Sequence, residues 1–306
     1  MASELRERAA LVALLQRPGA SWADVALAVL EQGSAVAVLA SELQVQATLF
    51  PEPDLVESAI VQAAESLAKW ENQGITVRTC LDADYPSQLR SIHQMPPILF
   101  SRGISAHDQR AIAVVGTRQA SEQGLRIAAA VAHDLAVNGV TVVSGLARGI
   151  DTAAHRAALE AGGRTVAVIG TGINKFYPAE NRSLQERISR EGLVVSQFWP
   201  DSPPHQRNFP MRNAVMSGYA AATVVVEAPW KSGARIQARL ALEHGRPVVM
   251  PKELLEHDWA RDYAKKPGVH VVSGLRELLA VVEGLIAELN AGPDSLPEIP
   301  ILARSC

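Results

Sequence analysis

Seven short apolar runs recur between Ala111 and Gly274: "AIAVVG", "VTVVSG", "TVAVIG", "LVVSQ", "ATVVVEA", "PVVMP" and "VHVVSG". They are rich in Val and Ile, and most end on or near a glycine. Between most of them lie Ala-rich stretches of helical character, such as "GLRIAAAVAHDLAVNG" and "DTAAHRAALEAGG". Fully apolar strands that alternate with helices are the pattern of a parallel sheet covered on both faces. The expected fold class is α/β: an extended, Rossmann-like, doubly wound and mostly parallel sheet. Right-handed crossovers then set the loops that follow the strands along one edge, where ligands of such sheets bind.

The rest of the chain is organised around that core. Residues 1–73 read as a small helical domain. "ELRERAALVALLQ" has apolar residues near helical spacing, "SWADVALAVLEQG" opens on Ser21 as a candidate N-cap and closes on Gly33, and a third helix runs from near Pro53 to Gly74. Residues 74–110 form a connector with one strand over Ile75–Thr79, the core spans 111–288, and 289–306, with three prolines in "NAGPDSLPEIPILARSC", is a tail.

The totals exclude some functions. The net charge of −3 rules out a polycation, so a nucleic-acid role needs a local basic face. That face is legible: Ser101 to Asn213 holds thirteen Lys and Arg against nine Asp and Glu. Cys80 and Cys306 have no zinc-site spacing and fit a reducing compartment. The start "MASELRERAALVALL" lacks the apolar core of a signal peptide, and no apolar run reaches membrane-spanning length, as expected of a cytoplasmic protein. No metal or cofactor is expected.

Five edge loops carry the chemistry. In "VVGTRQASEQG", Gly116 permits a tight turn and Thr117 and Arg118 stand before a helix start, where free N–H groups suit a phosphate. In "VVSGLARGIDTAAHRAAL", Ser144, Gly145 and Gly149 let backbone approach a ligand, with Arg148 between them. There Asp151 is expected to cap the following helix and His155 to pack one turn on, against the competing idea of a catalytic Asp–His pair. In "VIGTGINKFYPAEN", Gly170 and Gly172 form an incomplete dinucleotide fingerprint. Lys175 beside Phe176 and Tyr177 suits a phosphate next to a base, or the aromatics simply plug the loop. In "HQRNFPMRNAVMSG", Arg207 and Arg212 flank Phe209 and Pro210, with Asn213 following. In "VVVEAPWKSGARIQA", Lys231, Ser232 and Gly233 open a helix with no P-loop pattern. Glu227 is the one edge carboxylate with no evident capping job, free for a ribose hydroxyl or a base edge. The first four loops are expected to form one basic pocket.

These loops, in this order, resemble the DprA/Smf family of DNA-processing proteins. The resemblance runs from about Leu81 to Pro251 and rests on "DADYPSQLRSIHQMPPILFSRG", "SGLARGID", "YPAEN", "FPMRNAVMSG" and "VVVEAPWKSGARIQARLALEHGRPVVMP". It implies a non-enzymatic protein that binds single-stranded DNA at a basic edge pocket. It also implies a homodimer and help in loading a RecA-type recombinase during natural transformation. Arg118, Lys175 and Phe176 fall at or beside the family's DNA-pocket positions, with Arg148, Arg182 and Arg212 as neighbours.

The chain also departs from the family pattern. Ala214 follows "RN" where a second arginine is usual, Gln237 replaces a threonine, and Gln197 replaces a glutamate. A charged stretch, "KELLEHDWARDYAKKPGVHVVSG", follows Pro251 in place of a Gly/Asn-rich loop, and the family's common winged helix is not seen. These departures keep open a divergent defence or toxin–antitoxin component that senses DNA or a nucleotide, or neutralises a dedicated partner protein. A nucleotide hydrolase of the LOG type is the enzymatic alternative, although its "PGGxGT" motif is replaced by "APWKSGARIQA".

Overall fold

The computed structural model describes residues 3–46, 55–230 and 232–291. The chain opens with helices α1 (Ser3–Gln16), α2 (Trp22–Gln32), α3 (Ala35–Gln46) and α4 (Leu55–Asn72). Ser21 caps α2, its hydroxyl accepting from the Asp24 N–H at 3.4 Å. Gly33 closes the helix at φ +69°, donating its N–H to the Val29 carbonyl at 2.9 Å. Helix α1 is buried on all sides from Ala9 to Leu15, which makes it the axis of the unit.

The helical unit is welded to the sheet that follows. Leu11, Leu14, Ile60 and Leu67 share one apolar cluster with Ile98, Phe100, Ala167 and Val194. Trp199 is its joint, with ring centroids 5.1 Å from Trp22, 5.5 Å from Trp70 and 5.7 Å from Phe100.

The sheet has nine strands: β1 (Thr76–Thr79), β2 (Ile98–Gly103), β3 (Ala111–Val115), β4 (Thr141–Ser144), β5 (Thr165–Val168), β6 (Leu193–Ser196), β7 (Ala222–Val225), β8 (Val248–Pro251) and β9 (Val269–Val272). The order is β1-β2-β6-β5-β4-β3-β7-β8-β9. All seven apolar runs pair in parallel, while β1 and β2 add an antiparallel margin on β6. The connector thus contributes two strands where the sequence showed one, because "ILFSRG" pairs with both Thr76–Thr79 and β6. Helices α5 (Glu122–Val137), α6 (Ile150–Glu160), α7 (Arg182–Glu191), α8 (Asn208–Tyr219), α9 (Gly233–Glu243), α10 (Asp258–Ala264) and α11 (Leu275–Ala291) cover the two faces. The stretch after Pro251 folds as a 3-10 turn, Lys252–Glu256, followed by α10. The tail positions 292–306 lie outside the described residues. Among the described residues, no single helix is long and apolar enough to cross a membrane.

Strand β3 has β4 on one side and β7 on the other. The chain winds outward through β4, β5 and β6, then crosses back to β7, β8 and β9. Loops leaving β3 and β7 therefore diverge, and a crevice opens at their carboxyl ends.

The opposite edge is locked by a buried carboxylate. Asp108 accepts from Arg164 Nε at 2.6 Å and Nη2 at 2.9 Å, from Tyr219 Oη at 2.6 Å, and from Thr141 Oγ1 at 2.9 Å. Those donors sit at the starts of β4 and β5 and the end of α8, so one side chain fixes four segments. Burial alone pushes the Asp108 carboxyl up, and the hydrogen bonds from Arg164, Tyr219 and Thr141 together hold it below its ordinary value. A depressed carboxyl contributes stability that is present above its unfolded pKa and lost as pH falls through the folded value. Asp108→Asn leaves Arg164 uncompensated and is expected to cost about 3 kcal/mol in urea unfolding at neutral pH. The variant should also lose less stability than the parent on acidification below about pH 4.

Candidate nucleic-acid interface

The crevice between the β3 and β7 loops has a volume of about 810 Å³. Its walls come from four places: Gly116, Thr117 and Arg118 after β3; Ala147 and Asp151 between β4 and α6; Phe209, Arg212 and Asn213 on α8; and Trp230, Ser232, Gly233 and Gln237 around the start of α9. The two strand loops are stitched by the Thr117 N–H, which donates to the Glu227 carbonyl at 2.7 Å. Gly116 is required at this crossing, since a Cβ would lie 2.3 Å from Ile150 Cγ1 and 2.9 Å from the Glu227 carbonyl oxygen. Arg118 is exposed, and its guanidinium carbon lies 5.2 Å from the centroid of the Phe209 ring. No carboxylate pairs with it among the described residues.

Beneath Arg118 lies a second, buried cation. Arg212 is 5% exposed, and its Nη1 donates to the Val168 carbonyl at 2.8 Å. Burial pushes its pKa down to about 10, which leaves it charged at neutral pH. Its Nε has no hydrogen-bond partner among the described residues. Gly145 makes room for this guanidinium, since a Cβ there would lie 1.7 Å from Nη1. Asn213 is held by the side-chain amide of Gln237, which donates to the Asn213 carbonyl at 3.1 Å and accepts from the Ser217 N–H at 3.3 Å. Ser232 caps α9, its hydroxyl accepting from the Ala234 N–H at 3.2 Å, while Gly233 faces open space. Lys231 lies outside the described residues.

Two roles read from sequence are revised. Asp151 does not cap its own helix. Helix α6 starts at Ile150, and the Asp151 carboxylate turns back to accept from the Gly145 and Ala147 N–H groups, each at 3.2 Å. It therefore shapes the "SGLARG" turn. Burial pushes its carboxyl up, opposed by the Arg212 charge and those amides. Glu227 does have a capping job. Its carboxylate accepts from the Ser121 N–H at 3.1 Å and the Ser121 hydroxyl at 2.8 Å, and Ser121 caps α5. A sequence separation of 106 between Glu227 and Ser121 hides this contact from any local reading. His155 is fully buried beside Thr165 Oγ1 at 2.7 Å, and burial pushes its pKa down to about 3, so it is a neutral packing group.

The remaining expected residues do not line this crevice. Ser144 is buried and its hydroxyl ties β4 to the Val114 carbonyl of β3 at 2.7 Å. Arg148 pairs with Glu180 at 2.6 Å and lines, with Gly149, Arg126 and Arg156, a separate groove between α5 and α6. Lys175 Nζ lies 3.9 Å from Asp201. Phe176 sits under Arg182, whose guanidinium carbon is 4.7 Å from its ring centroid, and Arg182 also pairs with Glu186 at 2.9 Å. At Gly172 a Cβ would strike the Trp199 and Pro200 carbonyls, at 2.2 and 2.4 Å. The edge residues thus fall into three groups: the Arg148 groove on one side, and the crevice and the Lys175–Phe176 cluster beside each other.

Phe209 joins the last two. Its ring packs on Gly170, where a Cβ would be 2.8 Å away, and lies 5.6 Å from Tyr177. Asn181 fastens the same loops, its amide donating to the Leu146 carbonyl and to Thr152 Oγ1, both at 2.9 Å. Phe209, Asn181 and Trp230 were all visible inside quoted motifs. Nothing local marked them as joint, clamp and wall.

The fold and crevice define a doubly wound α/β protein whose switch-point edge is built around arginines and aromatic rings. Residues 76–276 match the sequence model of the DNA recombination-mediator protein A family, and the chain belongs to that family. It is 42% identical over 178 residues to DNA processing protein DprA of Streptococcus pneumoniae, covering 58% of this chain and 63% of that protein. It is 42% identical over 172 residues to Protein Smf of Synechocystis, covering 55% and 43%. Against Protein Smf of Borreliella burgdorferi it is 32% identical over 255 residues, covering 82% and 78%. The chain thus spans less than two thirds of the length of the first two relatives. The X-ray structure of the pneumococcal DprA superposes with a TM-score of 0.68 at 31% identity, covering 90% of this chain and 95% of that one. DNA processing protein A from Helicobacter pylori, whose structure concerns its single-stranded DNA binding mode, shares the fold with a TM-score of 0.60 at 23% identity, covering 70% and 96%.

The packing at Gly145 gives a direct test of the crevice floor. Gly145→Ala must displace the buried Arg212 guanidinium, and is expected to destabilise the protein by about 1–3 kcal/mol in urea unfolding. Gly233→Ala, which meets open space, should stay within about 0.5 kcal/mol of the parent.

Proposed function

We propose that this protein binds single-stranded DNA at the switch-point crevice and acts in DNA processing and recombination. The observation that carries this reading is Arg118: an exposed cation with no carboxylate partner among the described residues, set on the Phe209 ring over the buried charge of Arg212. Single strands are held by this combination of cationic surface and stacking rings, which needs no base code. The role is binding, not catalysis. The edge groups suited to acid–base work are engaged elsewhere: Glu227 on Ser121, Asp151 on two amides, and His155 in the core. The hydrolase alternative therefore loses its carboxylate. The Lys175–Phe176 cluster, connected through Phe209, is the natural continuation of the strand's path. Delivery of that strand to a RecA-type recombinase, and pairing of the protein into a homodimer, are the parts of this reading that rest on family resemblance.

The test is a titration with single-stranded oligonucleotides at several salt concentrations. Arg118→Ala should weaken binding roughly tenfold or more and lower the slope of log affinity against log salt by about 0.7, the share of one phosphate contact. Lys175→Ala should have a smaller effect, since Asp201 at 3.9 Å already offsets part of its charge. Tight binding that survives both substitutions together places the strand elsewhere.

A further inference from the structure

The mouth of the crevice holds an arrangement that phosphate binding does not use. Trp230 is 60% exposed there. One face of its indole is covered by Arg235, whose guanidinium carbon lies 3.9 Å from the ring centroid. Arg235 is held in place twice over. Its Nη1 donates to the Trp230 carbonyl at 2.5 Å, and its guanidinium carbon lies 5.5 Å from the ring centroid of Trp259. Trp259 is buried at 2% exposure and donates its Nε1–H to the Ala228 carbonyl at 3.0 Å. An indole, a guanidinium and a second indole thus run from the core to the crevice mouth. The inner indole belongs to α10, in the stretch after Pro251 where this chain departs from the family pattern.

Large aromatic rings bring much apolar area, and a tryptophan this exposed leaves that area in water. Here the ring is not loose. The cation on one face fixes its plane, while the exposure leaves ring surface open beside the crevice. The other wall repeats the scheme, with Arg118 on Phe209. Arg118 on Phe209 at one wall, and Trp230 backed by Arg235 at the other, match a ligand that carries both negative charge and flat rings with uncovered faces. A duplex presents charge but stacks its bases internally, so only an unpaired strand offers such a ring.

Building on the proposed function, we infer that Trp230 is a stacking platform for one unpaired base of the bound strand, buttressed by Arg235 and Trp259. It adds discrimination between single and double strands to the charge supplied by Arg118. Because stacking accepts any base, it selects strandedness and not sequence.

The test uses the full chain with three probes of equal length: oligo(dT), an abasic sugar-phosphate strand and a duplex. Trp230→Ala should weaken oligo(dT) binding on the order of tenfold while leaving the salt slope unchanged, since no charge is removed. Trp230→Phe should keep most of the affinity. Oligo(dT) should quench part of the parent's tryptophan fluorescence, and that part should vanish in Trp230→Phe. The abasic strand should bind parent and Trp230→Ala alike. If Arg118→Ala weakens oligo(dT) binding but Trp230→Ala does not, the platform is overturned and the crevice stands. If oligo(dT) binding ignores Arg118→Ala as well, the crevice reading falls and the platform with it.

Discussion

The carboxyl edge of this sheet depends on β3 lying between β4 and β7. A strand with its sequence neighbour on one side and a distant strand on the other forces its loop away from that of β7. The space this leaves is the crevice. Its base is closed by the Thr117 N–H and the Glu227 carbonyl, which bind the two loops together, and Gly116 lets them cross. The amino edge cannot splay to relieve the divergence, since Asp108 holds the starts of β4 and β5 and the end of α8 together. The site is thus a consequence of topology, fixed at both ends by polar contacts.

Within the crevice, two arginines divide the labour. Arg212 is structural as well as electrostatic: its guanidinium fills the space left at Gly145 and sits near the Asp151 carboxylate that shapes the adjoining turn. Removing it leaves a buried carboxylate and a void, so its loss acts through stability first. Arg118 has no such duties. It stands on Phe209, exposed to solvent, and its charge is available to a ligand. The same contrast separates His155, neutral in the core, from the arginines at the edge. The acid–base pair suggested by the spacing of Asp151 and His155 is dissolved by burial: one residue serves the turn before the helix and the other packs under β5.

The sheet was legible because each buried strand is nearly continuous in Val, Ile and Ala, and such runs have few other uses. Ser21 and Gly33 were legible because caps act within a few residues. Strand β2 was missed as a strand because "ILFSRG" gains its partners from β1 and from β6, some ninety residues on. Glu227 was misread for the same reason: its partner Ser121 is close only after two strands are laid side by side. Lys175 and Arg148 were expected in one basic pocket from their charge, their glycine-turn loops and the family resemblance. Charge does not say which side of Phe209 a residue falls on, and it does not reveal that Asp201 and Glu180 stand beside them. The joints between loops, Phe209 and Asn181, carry no signal in composition, because their work consists of contacts between distant segments.

Amide hydrogen exchange of the full chain, with and without saturating oligo(dT), tests the location of the strand most directly. Protection is expected in the loop at 116–121, at the start of α8 around Phe209 and in the loop leading into α9, with little change near Asp108 at the opposite edge. Protection confined to the N-terminal helices or to the Asp108 edge, with the three crevice segments unchanged, contradicts the assignment of the crevice as the DNA site.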